Sequence, residues 1–232
     1  MKKHNAVLRI FHLGTAVALA VLFTGLCLAD GNKPDMQSII RETQQMSQVP
    51  HEMALVWWIP PQFWRASLES NPRLTSEQIN DFLKTIKPYT VVAVVKGKFG
   101  SFGGVTYEDE ATVRSELALI DHDQVEYKPL GDADVTPDMQ NFLSMMKPVF
   151  ANMLGAMGKN FDIFVFPANG KNGKVIADAE KEGQFWVRLG DEKFRWRLPI
   201  GALLAPKICP KCGEKLSGAY KFCPFDGTPL DK

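Results

Sequence analysis

The chain has 232 residues, 45% of them hydrophobic and 23% charged, with 27 Lys and Arg against 26 Asp and Glu. That composition suits one globular domain, alone or with a small appendage, and excludes a disordered chain, a collagen-like repeat and a polytopic membrane protein. A formal net charge of +1 also excludes a strongly basic nucleic-acid binder.

Lys2, Lys3 and Arg9 precede an uncharged apolar run from Leu13 to Leu28, and Cys27-Leu28-Ala29 sets small residues at the −3 and −1 positions of a cleavage site. Residues 1–29 are therefore expected to be a signal peptide that sends the chain to the periplasm or beyond the cell. If retained, the same run would be an anchor whose C-terminal side lies outside. Leu26 stands before Cys27 where a lipidation signal needs a small residue. Cleavage would remove three basic and no acidic groups, leaving 24 against 26 and a net charge of −2. By that sum the mature surface is mildly acidic, with no electrostatic case for DNA, RNA or anionic lipid.

Residues 30–52 are polar and read as a tether or a frayed helix. Met53 to Ile59 is a short apolar run closed by Pro60-Pro61, and Gln62 to Ser70 fits a helix ending before Asn71-Pro72. Thr75 with Gln78 forms a capping-box pattern ahead of Ile79, Phe82, Leu83 and Ile86, one stripe of a helix stopped by Pro88. Thr90 to Val95 is β-branched and apolar, as in a buried strand, and a glycine-rich connection follows. The alternation Val113, Ser115, Leu117, Leu119 predicts a strand turning at Asp121-His122-Asp123 and returning through Val125 and Tyr127.

Thr136-Pro137 starts a long helix with Met139, Phe142, Leu143, Met146, Phe150, Met153 and Leu154 on one face and Pro148 expected to kink or divide it. Phe161 to Phe166 predicts another strand, and Phe185 to Leu189 with Phe194 to Leu198 a second hairpin, its apolar positions alternating with Arg and Lys. The fold class is α+β: a mostly antiparallel, six-strand sheet or sandwich with packed helices over residues 53–204, and a separate small unit over 205–232.

That unit carries the most specific motif. Cys209-Pro210-Lys211-Cys212-Gly213 is followed by Cys223-Pro224-Phe225-Asp226-Gly227. Two such turns resemble the paired knuckles of zinc-ribbon domains over residues 206–230, with Asp226 where the family usually has its fourth Cys. Sulfurs three residues apart can share one metal in a tight turn, glycine after the turn can take positive φ, and a carboxylate can complete the set. The expected ligands are Cys209, Cys212, Cys223 and Asp226 around one structural zinc. Three cysteines in the mature chain cannot all pair within one molecule, which argues against a purely oxidised tail.

Elsewhere the bland reading is the stronger one. His51-Glu52 begins an H-E-x-x-H pattern, but Leu55 stands where the second His belongs. Asp121, His122 and Asp123 are a titratable trio at a hairpin tip. Gly97, Gly100, Gly103 and Gly104 match neither the Walker A nor the dinucleotide fingerprint, so they read as a hairpin loop with Phe99 and Phe102 exposed. Met139, Met145, Met146, Met153 and Met157 offer soft ligands for Cu(I), but interleaved Phe and Leu indicate core packing. Trp57, Trp58 and Trp64 read as core aromatics, and no Ser sits in G-x-S-x-G. The sequence thus points to an exported, non-catalytic protein-binding or assembly protein. The alternatives are a metal-handling protein using Met and Cys, and a metal-dependent hydrolase working through His122 with its neighbouring carboxylates or through an open zinc held by three sulfurs and water.

Overall fold

The computed structural model describes residues 35–230, so the expected signal peptide lies outside the described residues. No helix among them is long and apolar enough to cross a membrane. Strands β2 (Glu52–Ile59) and β3 (Tyr89–Phe99) form the centre, paired antiparallel from Glu52↔Lys98 to Ile59↔Val91. Strand β1 (Gln44–Met46) adds to β2. The other edge of β3 is shared: β7 (Asp162–Pro167) pairs with residues 89–94 and β4 (Val105–Tyr107) with 97–99. A Cβ on Gly97 would meet the Thr106 carbonyl oxygen at 2.7 Å, so glycine permits the close approach of β4. A second antiparallel sheet runs β6 (Glu126–Tyr127), β5 (Leu117–Ile120), β8 (Gly183–Leu189), β9 (Glu192–Leu198).

Two adjacent tryptophans reveal the layering. Successive side chains of a strand point to opposite faces. Trp57 meets Phe63 edge-on at 5.0 Å and Phe150 at 5.9 Å, both on helices, whereas Trp58 meets Phe185 at 4.9 Å and Trp196 at 6.5 Å, both on the second sheet. The first sheet is therefore a middle layer, with helices on one face and the second sheet on the other. That is why β2 and the first part of β3 are apolar without alternation: both faces are covered.

The helical layer comprises α1 (Met36–Thr43), α2 (Pro61–Glu69), α3 (Ser76–Ile86) and α5 (Pro137–Lys159), whereas the short α4 (Glu110–Glu116) lies against β3 and β8, with Arg114 over the Phe164 ring at 5.1 Å. The Thr75–Gln78 capping box forms in both directions. Trp64 of α2 closes the helix contacts against Phe82 at 6.0 Å and Phe142 at 5.1 Å.

The fold is α+β as expected, but details differ. Residues 36–46 are no tether: Asp35 caps α1 through the Gln37 and Ser38 amides, Ile39 is buried, and buried Thr43 accepts the Trp57 indole N–H at 3.1 Å. Val113 and Ser115 are helical, because Asp109 caps the Thr112 amide at 2.7 Å and starts α4; the strand begins only at Leu117. Of the expected sheet or sandwich the packed pair of sheets is the one formed, with five and four strands in place of six in all. Helix α5 continues through Pro148 and breaks instead at Gly155, whose φ of 59° and ψ of −129° are non-helical. Leu154, beside that break, is exposed rather than in the apolar stripe.

Candidate metal centre

Residues 207–230 contain a pair of turns with matching hydrogen bonds. Strands β10 (Lys207–Ile208) and β11 (Lys215–Leu216) flank the first. In that turn the Cys209 amide donates to the Glu214 carbonyl at 2.9 Å and the Gly213 amide to the Cys209 carbonyl at 2.9 Å. In the second, the Cys223 amide donates to the Thr228 carbonyl at 2.8 Å and the Gly227 amide to the Cys223 carbonyl at 2.9 Å. Gly213 and Gly227 take matching positive φ of 77° and 72°. Cys209 thus corresponds to Cys223, and Cys212 to Asp226.

The turns face each other and bring one ligand atom each from Cys209, Cys212, Cys223 and Asp226 within 4.8 Å of one another. The Cys212 and Cys223 sulfurs are 3.7 Å apart, and the Cys209 sulfur lies 3.5 Å from Asp226 Oδ2. All four expected ligands therefore meet. Cys209 and Cys223 are buried with Leu216 and Leu230 in a cluster separate from the main core, while Cys212 is exposed.

The electrostatics explain what the four groups need. The Thr228 hydroxyl and amide hold the Asp226 carboxyl well below the usual carboxylate range; the amide bond to Oδ1 is 2.9 Å. The backbone amide of Cys212 chiefly favours the Cys209 thiolate and lowers its pKa. For Cys212 the Glu214 amide also favours the thiolate, but partial desolvation of the sulfur and the neighbouring Cys209, Cys223 and Asp226 outweigh it, and the thiol is pushed up to about 12. Four such groups cannot all ionise at close quarters without a cation between them. Thr228, which orients Asp226 by an Asx-type turn, was missed in the sequence, although Asp-Gly-Thr was its signal.

The other candidates lie elsewhere. His51 sits in a turn with φ of 66°, and its neighbour Glu52 is in the sheet opposite Lys98. Asp121 is buried, not part of a solvated tip: it accepts the Val125 amide at 2.9 Å and the Tyr127 hydroxyl at 2.8 Å, while His122 is exposed and Asp123 accepts from Asn172. Met139 and Met146 are in the core, as are Trp57, Trp58 and Trp64. Phe102 is fully exposed at the Gly100–Gly104 hairpin tip, and Phe99 half-exposed. A cavity of about 300 Å³ beside α4, α5 and β7 is lined by Arg114, Lys147, Glu110 and Asp162 among others. Those four are spent on one another: Lys147 pairs with Asp162 at 3.1 Å and with Glu110 at 3.5 Å, and Arg114 with Glu110 at 3.4 Å. Comparison with protein-family models, curated proteins and solved structures finds no match.

Proposed function

We propose that this is an exported, non-catalytic binding or assembly protein whose C-terminal turns hold one structural zinc and present a surface to a protein partner. The observation that carries the zinc assignment is the congruence of the two turns. Sulfurs about 2.3 Å from a tetrahedral zinc stand roughly 3.8 Å apart, and a sulfur and a carboxylate oxygen about 3.5 Å apart. The separations of 3.7 Å for Cys212 to Cys223 and 3.5 Å for Cys209 to Asp226 fit that pattern. The set is closed by four protein ligands, the arrangement of structural rather than catalytic zinc.

The partner surface is argued from side chains that the tail leaves in water. Ile208, Tyr220, Phe222 and Phe225 are all exposed, and Ile208 and Phe222 occupy equivalent places just before the first cysteine of each turn. Aromatics held on a stapled scaffold are the usual anchors of a protein contact. Asp121 is engaged by its own hairpin, which removes support from a hydrolase working through that trio, and the core positions of Met139 and Met146 do the same for methionine-based metal handling. The test is elemental analysis of protein recovered from the envelope, with a Phe222→Ala/Phe225→Ala variant. One zinc per chain in both proteins, with a cross-linked partner lost only from the variant, is expected. Metal-free protein with oxidised Cys209 and Cys212 would overturn the zinc assignment, and an unchanged cross-linking pattern the partner surface.

A further inference from the structure

The strand register gathers cations that the sequence scatters. On the face of the second sheet turned away from the core, β8 and β9 set Gln184 opposite Arg197, Trp186 opposite Arg195 and Arg188 opposite Lys193. Lys193, Arg195 and Arg197 are exposed and alternate with buried Phe194 and Trp196. Residues two apart on a strand are spaced about 6.7 Å, so these three form an even row. Lys128 joins them beyond β6: Arg188, Lys128 and Lys193 all act on the Glu126 carboxylate. Glu126 is committed to Arg188 at 3.0 Å. Lys193, Arg195 and Arg197 have no acidic partner among the described ion pairs, and Arg195 donates instead to the Gln184 amide oxygen.

We infer that this basic face docks on the phosphate surface of an anionic lipid bilayer. Three observations favour a bilayer over a free polyanion. The face is the broad side of a sheet, with cations on adjacent strands, and suits a planar array of headgroups. Trp186 lies in the middle of it, half-buried, with the Arg195 guanidinium 5.7 Å from its ring centroid. A covered indole is no open stacking platform for a base, but a Trp among cations is the side-chain set of a membrane–water interface. The third is position. The Gln45 side chain of β1 donates to the Arg195 carbonyl at 2.6 Å, tying the basic strand to the first strand after the apolar N-terminal run. From Ala29 to Asp35 the chain can reach only about 20 Å, and the eight-residue α1 adds about 12 Å before β1. A retained apolar segment and a polybasic face together make a two-part membrane attachment; a cleaved one leaves the face as a reversible electrostatic contact. The net charge of the chain does not oppose this, because a bilayer senses charge only within about 10 Å.

The test reads the face itself. The full chain is mixed with vesicles of phosphatidylcholine alone or of phosphatidylcholine with phosphatidylglycerol, and acetylation of Lys193 by a water-soluble ester is followed by mass spectrometry, with Lys84 of α3 as reference. Lys193 should label at least about tenfold more slowly on the anionic vesicles than on the neutral ones, with Lys84 unchanged, and roughly 1 M salt should abolish the difference. Arg195→Glu/Arg197→Glu, both at exposed positions, should lose the protection while keeping the wild-type circular dichroism and melting temperature. If that pair unfolds the sheet, Arg197→Gln should still weaken the protection several-fold. Equal labelling on the two kinds of vesicle would overturn the proposal. So would protection by single-stranded DNA or by inorganic phosphate equal to that by the anionic vesicles. Zinc content plays no part in this readout, so its outcome is independent of the tail.

Discussion

Replacing Cys212 by Ser removes the one exposed sulfur of the tail cluster without touching any backbone hydrogen bond of its turn. Structural zinc supplies on the order of 10 kcal/mol to a small domain at neutral pH. The remaining apolar cluster offers Leu216 and Leu230, at about 1.5 to 3 kcal/mol each if fully buried. The leucines cannot stand in for the metal, so the variant should lose stoichiometric zinc and residues 207–230 should unfold. Hydrogen exchange locates the loss: the Cys223 and Leu230 amides, bonded to Thr228 and Lys221 at 2.8 and 2.9 Å, should exchange freely. Tryptophan fluorescence isolates the rest, because all five tryptophans lie outside the tail, and the main unfolding transition should move little. Asp226→Ala should weaken zinc more mildly than Cys212→Ser, and Asp226→Cys should tighten it by supplying a softer ligand. Stoichiometric zinc in Cys212→Ser, or tail amides that stay protected without metal, would refute the reasoning.

Trp58→Ala should cost about 3 to 5 kcal/mol in urea unfolding, because its ring fills the space between the two sheets; a loss under about 1 kcal/mol would contradict that packing. Asp121→Ala should cost about 2 to 3 kcal/mol by stranding the Val125 amide and Tyr127 hydroxyl, whereas His122→Ala should cost less than about 0.5 kcal/mol; equal effects would refute the distinction between them. Burial raises the Asp162 carboxyl above its ordinary 3.8, against the opposing bond from Lys147. The folded state therefore binds that proton more tightly than the unfolded state, and this group's contribution to stability falls as pH rises from about 3.8 through the folded value. The stability of the wild type relative to Asp162→Asn should decline with pH across that window in urea titrations, and a difference that grows with pH would overturn the assignment.

What could be read from the sequence was local. The capping box of α3, the hairpin of β8 and β9 and the clustering of Cys209, Cys212, Cys223 and Asp226 each depend on a few neighbouring residues, and each stands where the pattern put it. The failures share a different cause. Val113 to Leu119 alternates straight across the junction of α4 and β5, so the period of two ran through a helix that only the Asp109 cap betrays. Helix α1 stood only as a frayed alternative to a tether because residues 30–52 are polar on average, yet Asp35 and Ser38 form a cap before Ile39. Pro148 was the obvious breaker, but its place in a long packed helix was tolerated and the flexible Gly155 gave way instead. Asp121 looked exposed because the loop that covers it arrives from residues 170–172: Tyr127 holds Asp121 and in turn accepts the Lys171 amide at 2.9 Å.

The basic face exposes the weakness of net charge as a guide to partners. A sum of −2 for residues 30–232 says nothing about where 24 cations and 26 acids stand. Alternation along β9 placed Lys193, Arg195 and Arg197 on one side, and that much was visible. Trp186 and Arg188 meet them through the β8–β9 hairpin, but Lys128, just past β6, comes near only because β5 pairs with β8, more than fifty residues further along the chain. The same layering places the two candidate surfaces away from the core. The inner face of the second sheet is filled by Phe185, Val187, Phe194 and Trp196, so the outer face is free to carry charge without taking a polar group into the interior. The tail has its own apolar cluster and its own four candidate ligands. Charge reversal on β9 should therefore leave the tail metal in place, and metal loss should leave the basic face intact, which makes the two surfaces separable by mutation in one folded protein.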